Sequence, residues 1–450
     1  MRLLFDRGTL LLLGDLEDAE SLPGILWDPR VKAWRAPARY YRDLSCELTL
    51  RHIAFQDEVH PQLEAPPFMP QPELRPYQAA AIASWELSGH RGIIALPTGS
   101  GKTRVAIAAI AQSCIRTLCI VPTRVLMAQW IKNLSEAARK PIGAYGDGSR
   151  IEQPITVATF ASAFRHMDTL GNRFDLLVVD EVHHFGSGTG DETLEMCIAA
   201  ARLGLSATPP DGEIQRARLD ILIGPEVYRA SIEELAGRYL APFQLVTISV
   251  GLIHSERQAY DADMSVFRPV CRAFFKSAPG ASWSDFLTSA ARSDAGRRAI
   301  VAWRHSHAIV RYTREKRSIV NDLLRRHRDS RILVFAADND TAYDVAREHL
   351  VQPITCDIGP RERTQALQRF SKGELRILVS ARVLNEGMDV PAADIAIVVG
   401  GSQGSREYIQ RVGRVLRPSE GKKAIVYDIV TRGTFEARRA DEHRRALASG

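Results

Sequence analysis

The sequence predicts an α/β protein with two parallel-sheet domains, a helical insertion between them and a small amino-terminal α+β domain. Three observations carry this. From about residue 70 to 245, short apolar runs recur between helical segments: "GIIAL", "TLCIVP", "ITVATF", "LLVVD" and "RLGLSAT". The rhythm restarts near residue 331 with "RILVFAAD", "PITCDI", "RILVSARV", "DIAIVVGG" and "KAIVYDIV". Continuous apolar strands alternating with helices belong to a parallel sheet covered on both faces. Between the two series, residues 250 to 325 lose the strand rhythm and become helical and basic, with Phe267, Phe274, Phe275, Trp283 and Trp303 among them.

Taken in order, residues 1–70 form the first domain. They read as strands and turns followed by a basic, aromatic patch, "WDPRVKAWRAPARYYRDL", in which Trp27, Trp34, Tyr40 and Tyr41 interleave with Arg30, Lys32, Arg35, Arg39 and Arg42. Stacking aromatics beside arginines suit a grip on nucleic acid; in a small domain they equally suit a core. "PQLEAPPFMPQPELRP" then supplies six prolines, the composition of a linker. The first parallel-sheet domain is expected over 71–248, the helical insertion over 249–320 and the second parallel-sheet domain over 321–450.

Length and composition place few further limits. The chain has 450 residues, 45% of them apolar and 25% charged, with a net charge of +6, which permits nucleic-acid contact without requiring it. Cys46, Cys114, Cys119, Cys197, Cys271 and Cys356 are scattered, with no C-x-x-C pair, as in a reduced cytoplasmic protein. "LLLL" at residues 10–13 is too short for a signal-peptide core or a membrane span. No membrane association is expected.

"LPTGSGKT", Leu96 to Thr103, follows one apolar strand and opens the helical segment "RVAIAAIAQ", the setting a P-loop requires. Backbone N–H groups of Thr98, Gly99, Ser100 and Gly101 and the helix amino end would bind phosphate oxygens. Lys102 would neutralise the β and γ phosphates of ATP, and the Thr103 hydroxyl would ligate Mg²⁺. "LLVVDEVHHFGSG" delivers Asp180 and Glu181 to the carboxyl end of a buried strand, where ligands sit in such sheets. Asp180 would hold Mg²⁺ through water and Glu181 would orient and deprotonate the attacking water. A zinc site is disfavoured, because His183 and His184 are adjacent rather than four apart on a helix. His183 either couples the nucleotide's state to its neighbours or is a solvated side chain. In "YIQRVGRVLRP", Gln410, Arg414 and Arg417 stand at i, i+4 and i+7, so one helical face presents an amide and two guanidiniums suited to phosphate in a transition state.

Together, "LRPYQAAAI", "LPTGSGKT", "VPTRVLMAQW", "TVATF", "DEVHH", "LSATP", "VSARVLNEGMDVP" and "QRVGRVLRP" resemble the motifs of superfamily 2 helicases, in order, over residues 73–430. "GNRFDLLVVDEVHHFGSG", "GSREYIQRVGRVLRPSEGKKA" and the basic insert look like the XPB family in its short archaeal and bacterial form. The resemblance implies two RecA-like domains, a thumb at about 255–315 and an amino-terminal damage-recognition domain. It implies that Arg75 and Gln78 read adenine, that Ser206 and Thr208 couple hydrolysis to movement, and that Thr123, Arg124 and Thr159 touch the DNA backbone. Gly387 and Asp389 would join the ATP and DNA sites in the second domain, with Arg414 and Arg417 as arginine fingers. The implied activity is ATP-dependent translocation on double- or single-stranded DNA, 3′ to 5′, in nucleotide excision repair, by a monomer working with a nuclease partner.

One departure matters. The family commonly carries an Arg-Glu-Asp triplet soon after "SAT", implicated in opening the duplex, whereas this chain reads "LSATPPDGEIQRARLDIL". Translocation is expected and efficient unwinding is not. The competing expectations are an RNA helicase, a restriction-system translocase, and a DNA-binding scaffold with a vestigial nucleotide site. The insert is basic, with twelve Lys/Arg against five Asp/Glu over residues 285–331, which fits a DNA contact or a solvated helix face.

Overall fold

The computed structural model describes residues 1–381 apart from 15, 17, 62, 63 and 211, then 393–400, 404, 408, 413 and 424–449. These form two compact units, Met1–Glu234 and Leu235–Ser449.

The first unit holds two sheets. The amino-terminal sheet runs in the order Leu26–Asp28, Ala33–Pro37, Thr9–Leu13, Arg2–Asp6, Gln56–Glu58, backed by the helix Tyr41–Leu50. Leu3, Leu10, Leu12, Leu44 and Leu48 fill its core, and Ile198 from the neighbouring α/β domain joins them. The junction is close: a Cβ added at Gly171 would stand 2.9 Å from the Phe5 ring, and Asn172 donates to the Val59 carbonyl at 2.8 Å. The proline-rich segment does not separate two free modules, because Met69 is buried and Arg116 donates to the Glu64 carbonyl at 3.0 Å.

The second sheet of this unit has the order Glu226–Arg229, Arg91–Ala95, Ala201–Ser206, Leu176–Asp180, Thr117–Val121, Ile155–Thr159, Gly143–Gly146, Ser149–Ile151. Pairing is parallel except for the last hairpin. All five apolar runs anticipated for this domain are strands here, and four of them, Thr117–Val121, Ile155–Thr159, Leu176–Asp180 and most of Ala201–Ser206, are buried throughout because helices cover both faces. Parallel pairing brings every strand's carboxyl end to one edge. Ile94 lies opposite Leu205, which lies opposite Asp180, and Val179 lies opposite Ile120.

In the second unit the sheet order is Phe243–Val250, Ala424–Thr431, Ile395–Val399, Ile332–Ala336, Ile377–Ser380, Gln352–Ile354, again parallel. Each of the five runs expected there contributes a strand. Phe243–Val250, which a boundary at 248 would assign to the first α/β domain, pairs along its whole length with Ala424–Thr431. The insertion folds as the helices His254–Ser277, Trp283–Ala290 and Asp294–Arg311 around Phe267, Phe286, Ala290 and Ala299, with Trp303 packed against them. The next helix, Arg314–Arg326, buries Val320, Leu323 and Leu324 on the sheet, so it belongs to the α/β layer rather than to the insertion.

Candidate functional site

The loop after strand Arg91–Ala95 is built for close approach. Gly99 and Gly101 both adopt φ 86°, and Gly101 is the N-cap of the helix Lys102–Ser113. A Cβ at Gly101 would stand 2.6 Å from the Gln78 amide nitrogen, so no other residue fits there without displacing that side chain. The Ser100 carbonyl accepts from the Tyr77 hydroxyl at 2.5 Å and from Gln78 Nε2 at 2.8 Å, while Gln78 Oε1 accepts the Arg75 amide at 3.0 Å. The adenine-side motif and the phosphate loop are thus one hydrogen-bonded piece. They line a cavity of about 480 Å³ that includes Arg75, Gln78, Gly99, Ser100 and Gly101. Thr98 and Thr103 are partly exposed, and Lys102 Nζ donates to the Leu96 carbonyl at 3.2 Å.

Two strands along the sheet, Asp180 ends Leu176–Asp180 as a buried carboxylate. Its Oδ1 accepts the Glu181 amide at 3.0 Å and its Oδ2 accepts the indole N–H of Trp130 at 2.9 Å. Burial pushes the Asp180 carboxyl above the usual carboxylate range, opposed by the Lys102 ammonium, the Trp130 indole and the Glu181 amide. The Lys102 ammonium is thus near enough to act on Asp180 electrostatically. Glu181 adopts a left-handed φ of 52°, a conformation that costs a non-glycine residue energy and marks functional turns. His183 is buried, not solvated. Its Nδ1 lies 3.2 Å from Ser206 Oγ and 3.4 Å from Glu181 Oε2, and Ser206 Oγ accepts the Thr208 amide at 3.1 Å. A continuous polar chain therefore joins Glu181, His183, Ser206 and Thr208. His184 stacks on His183 with ring centroids 4.5 Å apart.

The following turn is clamped from two sides. Asp191 accepts the amides of Gly186 and Gly188, and the Gln215 amide donates to the carbonyls of His183 and Phe185 at 3.0 and 2.7 Å. Gln215 lies on the helix Glu213–Leu222, in the stretch after "SAT" that lacks the Arg-Glu-Asp triplet.

Thr123 and Thr159 cap the helices that follow strands Thr117–Val121 and Ile155–Thr159, accepting from the amides of Leu126 and Ser162. Arg124 is exposed and pairs with Asp147 at 2.7 Å. Gly387, Asp389, Gln410, Arg414 and Arg417 lie outside the described residues. Spacing and motif reading gave no role to Tyr77, Trp130, Asp191 or Gln215. Tyr77 and Trp130 do lie inside quoted motifs, so position was available but function was not.

The amino-terminal aromatics divide between the two readings left open. Trp34, Tyr40 and Tyr41 pack against the core, whereas Trp27 is 50% exposed on the edge of Trp34. Arg30 and Arg35 are both bonded to Asp28, whose carboxyl they hold well below its usual range, with Arg30 the larger influence.

Among the described residues, no three His, Cys, Asp or Glu side chains converge as a metal cage. The donor set at Thr103 and Asp180 fits Mg²⁺, which keeps several waters and takes one or two protein oxygens beside phosphate. No helix among the described residues is long and apolar enough to cross a membrane.

Comparison with known proteins agrees with this geometry. Residues 3–59 match the xeroderma pigmentosum group B helicase damage recognition domain, 71–211 the type III restriction enzyme res subunit, and 315–419 the helicase conserved C-terminal domain. The chain is 36% identical over 435 residues to the DNA 3′-5′ translocase XPB2 of Sulfurisphaera tokodaii, covering 95% of this chain and 97% of that one. It is 28% identical to the DNA 3′-5′ helicase XPB of Mycobacterium tuberculosis, covering 84% of this chain and 64% of that one. The helicase domain of Pyrococcus furiosus Hef superposes with a TM-score of 0.55 at 17% identity, over 82% of this chain and 98% of that one, and shares the fold. Two RecA-like domains, an amino-terminal damage-recognition domain and 36% identity over nearly the full length of an archaeal relative establish that the chain belongs to the XPB family of superfamily 2 helicases.

Proposed function

We propose that this chain is an ATP-dependent DNA translocase of 3′-to-5′ polarity acting in repair. The observation that carries the reading is the buried Asp180 at the carboxyl edge of the same parallel sheet whose strand Arg91–Ala95 leads into the Gly99–Gly101 loop, beside the Glu181–His183–Ser206–Thr208 chain. Arg75 and Gln78 hold the adenine, and the amides of Thr98 to Gly101 hold the phosphates. The Thr103 hydroxyl and Asp180 carboxylate hold Mg²⁺, which supplies charge neutralisation for the transferred phosphoryl group. Glu181 orients the attacking water and takes its proton, and the polar chain carries that change to the Ser206–Thr208 turn. Thr123, Arg124 and Thr159 contact the DNA backbone. Gly387, Asp389, Gln410, Arg414 and Arg417 keep the roles their motifs give them, the two arginines as fingers. We assign the protein to the cytoplasm, as a monomer with a nuclease partner.

The restriction-subunit model covers only 71–211, while the damage-recognition model and the archaeal relative account for the rest, which favours repair. Gln215 in place of a wedge ties its helix back onto the His183 turn, so movement without efficient strand separation is expected. ATPase rates on duplex DNA, single strands and RNA, measured beside roadblock displacement and unwinding, test both points. Stimulation by RNA alone, or processive unwinding by the protein alone, overturns the assignment.

A further inference from the structure

The helix Arg124–Ala138 reaches both halves of the proposed site. Its amino end is capped by Thr123 and carries Arg124, the residues assigned to the DNA backbone. Two turns on, Trp130 points inward, 1% exposed, and its indole donates to Asp180 Oδ2 across 50 residues of sequence. The other oxygen, Oδ1, is fixed by the Glu181 amide at its own strand's end. One carboxylate oxygen is thus oriented locally and the other by a separate helix.

A buried indole N–H needs an acceptor, but a backbone carbonyl serves that purpose. Trp85 of the same unit shows this, donating to the Arg202 carbonyl at 2.9 Å. A bond to a carboxylate is roughly twice as strong as one between neutral groups, and it weakens steeply as the N–H···O angle falls towards about 120°.

We propose that Trp130 is a positioning residue that ties the orientation of the Asp180 carboxylate to the place of the helix beginning at Thr123 and Arg124. Nucleic acid held at the helix's amino end and metal held at Asp180 then favour one another, and the linkage is reciprocal. The inference rests on the reading of Asp180 as a Mg²⁺ ligand and of Thr123 and Arg124 as DNA contacts.

Trp130→Phe keeps a ring in the core and removes the donor. The measurements are Mn²⁺ binding to the ADP complex by electron paramagnetic resonance, ADP binding without metal, and duplex affinity with and without Mg²⁺ and ADP. Loss of one hydrogen bond to a charged group should weaken Mn²⁺ binding about tenfold or more. Metal-free ADP binding and duplex affinity without nucleotide should stay unchanged, and the effect of Mg²⁺ and ADP on duplex affinity should shrink. A lower melting temperature with metal binding and linkage unchanged makes Trp130 a packing residue and overturns the proposal. Asp180→Asn separates the two levels. If it too leaves Mn²⁺ binding intact, the Asp180 reading itself fails; if it weakens Mn²⁺ binding and Trp130→Phe does not, only the Trp130 inference fails. Should Trp130→Phe not fold, ¹⁵N-indole spectra of the unaltered protein decide. The Trp130 signal, one of six tryptophans, should shift with Mg²⁺ and ADP and, separately, with a short duplex; indifference to the duplex overturns the proposal.

Discussion

Replacing Lys102 with alanine tests whether the phosphate site and the DNA surface are as separate as the sheet order implies. The Lys102 ammonium donates to the Leu96 carbonyl and acts on Asp180, so its charge is available for phosphate. Two unit charges about 4 Å apart at an effective dielectric of about 20 interact by about 4 kcal/mol, so removal should lower ATP turnover by roughly 10³. The residues proposed to contact DNA follow strands Thr117–Val121 and Ile155–Thr159, three and four positions along the sheet from Arg91–Ala95. At about 4.8 Å per strand that is about 14 to 19 Å, beyond the Debye length of about 10 Å at ordinary ionic strength. Duplex affinity without nucleotide should therefore stay within about twofold. Steady-state ATPase and fluorescence anisotropy on the same preparation measure both. Parallel losses of turnover and affinity would refute the separation and the site with it.

The remaining predictions concern chemistry, packing and pH. Glu181→Gln should bind ATP and stall, because the Thr103 hydroxyl and Asp180 carboxylate proposed to hold metal survive while the attacking water loses its base; turnover at the unaltered rate removes Glu181 from the mechanism. Arg202 is fully buried and donates to the carbonyls of Ala199, Leu194, Leu222 and Cys197, with burial pulling its pKa down to about 10, so it remains charged. Arg202→Met strands those acceptors and should cost about 3–5 kcal/mol, read from the urea midpoint; a change under about 1 kcal/mol would show that the carbonyls find other donors. His307 stacks on Phe435 with centroids 3.9 Å apart, and burial, with Arg439 and Arg311, lowers its pKa to about 4. The unfolded chain takes up this proton near 6.5 and the fold does not until about 4, so stability falls as pH drops through that interval. Thermal melts of His307→Phe should show a smaller loss over the same interval, and an unchanged slope would mean that other groups carry it.

What the sequence made legible was whatever repeats or is local. Apolar runs such as "LLVVD" declare buried parallel strands because both faces are covered, and the glycines of "TGSGK" declare a loop that must approach phosphate closely. Strands with mixed burial, Glu226–Arg229 and Phe243–Val250, carry no such signature, and the second of these crosses the expected boundary at 248. The contacts that complete the site were invisible for a different reason. Trp130 meets Asp180, and Gln215 meets His183, only after the strands between them have stacked, and no spacing rule encodes that meeting. The same holds for the docking of the amino-terminal sheet, whose core borrows Ile198 from beyond the proline-rich segment. Burial of His183 excludes the solvated side chain that its neighbours in the sequence permitted.

The order of strands gives the site its logic. Ala201–Ser206 lies between Arg91–Ala95 and Leu176–Asp180, so Ser206 ends one strand spacing from each, about 4.8 Å. A change at Glu181 reaches Ser206 through one buried imidazole, 3.4 Å from the carboxylate and 3.2 Å from the hydroxyl. The Thr208 amide, bonded to that same hydroxyl, lies on the segment leading to the helix Glu213–Leu222, and Gln215 of that helix returns to the His183 carbonyl. The loop therefore closes on itself. The Glu181 carboxylate and the Ser206 hydroxyl both face one ring nitrogen of His183, so a change of charge at Glu181 would act on the Ser206–Thr208 turn through that nitrogen while Gln215 holds the His183 backbone in place.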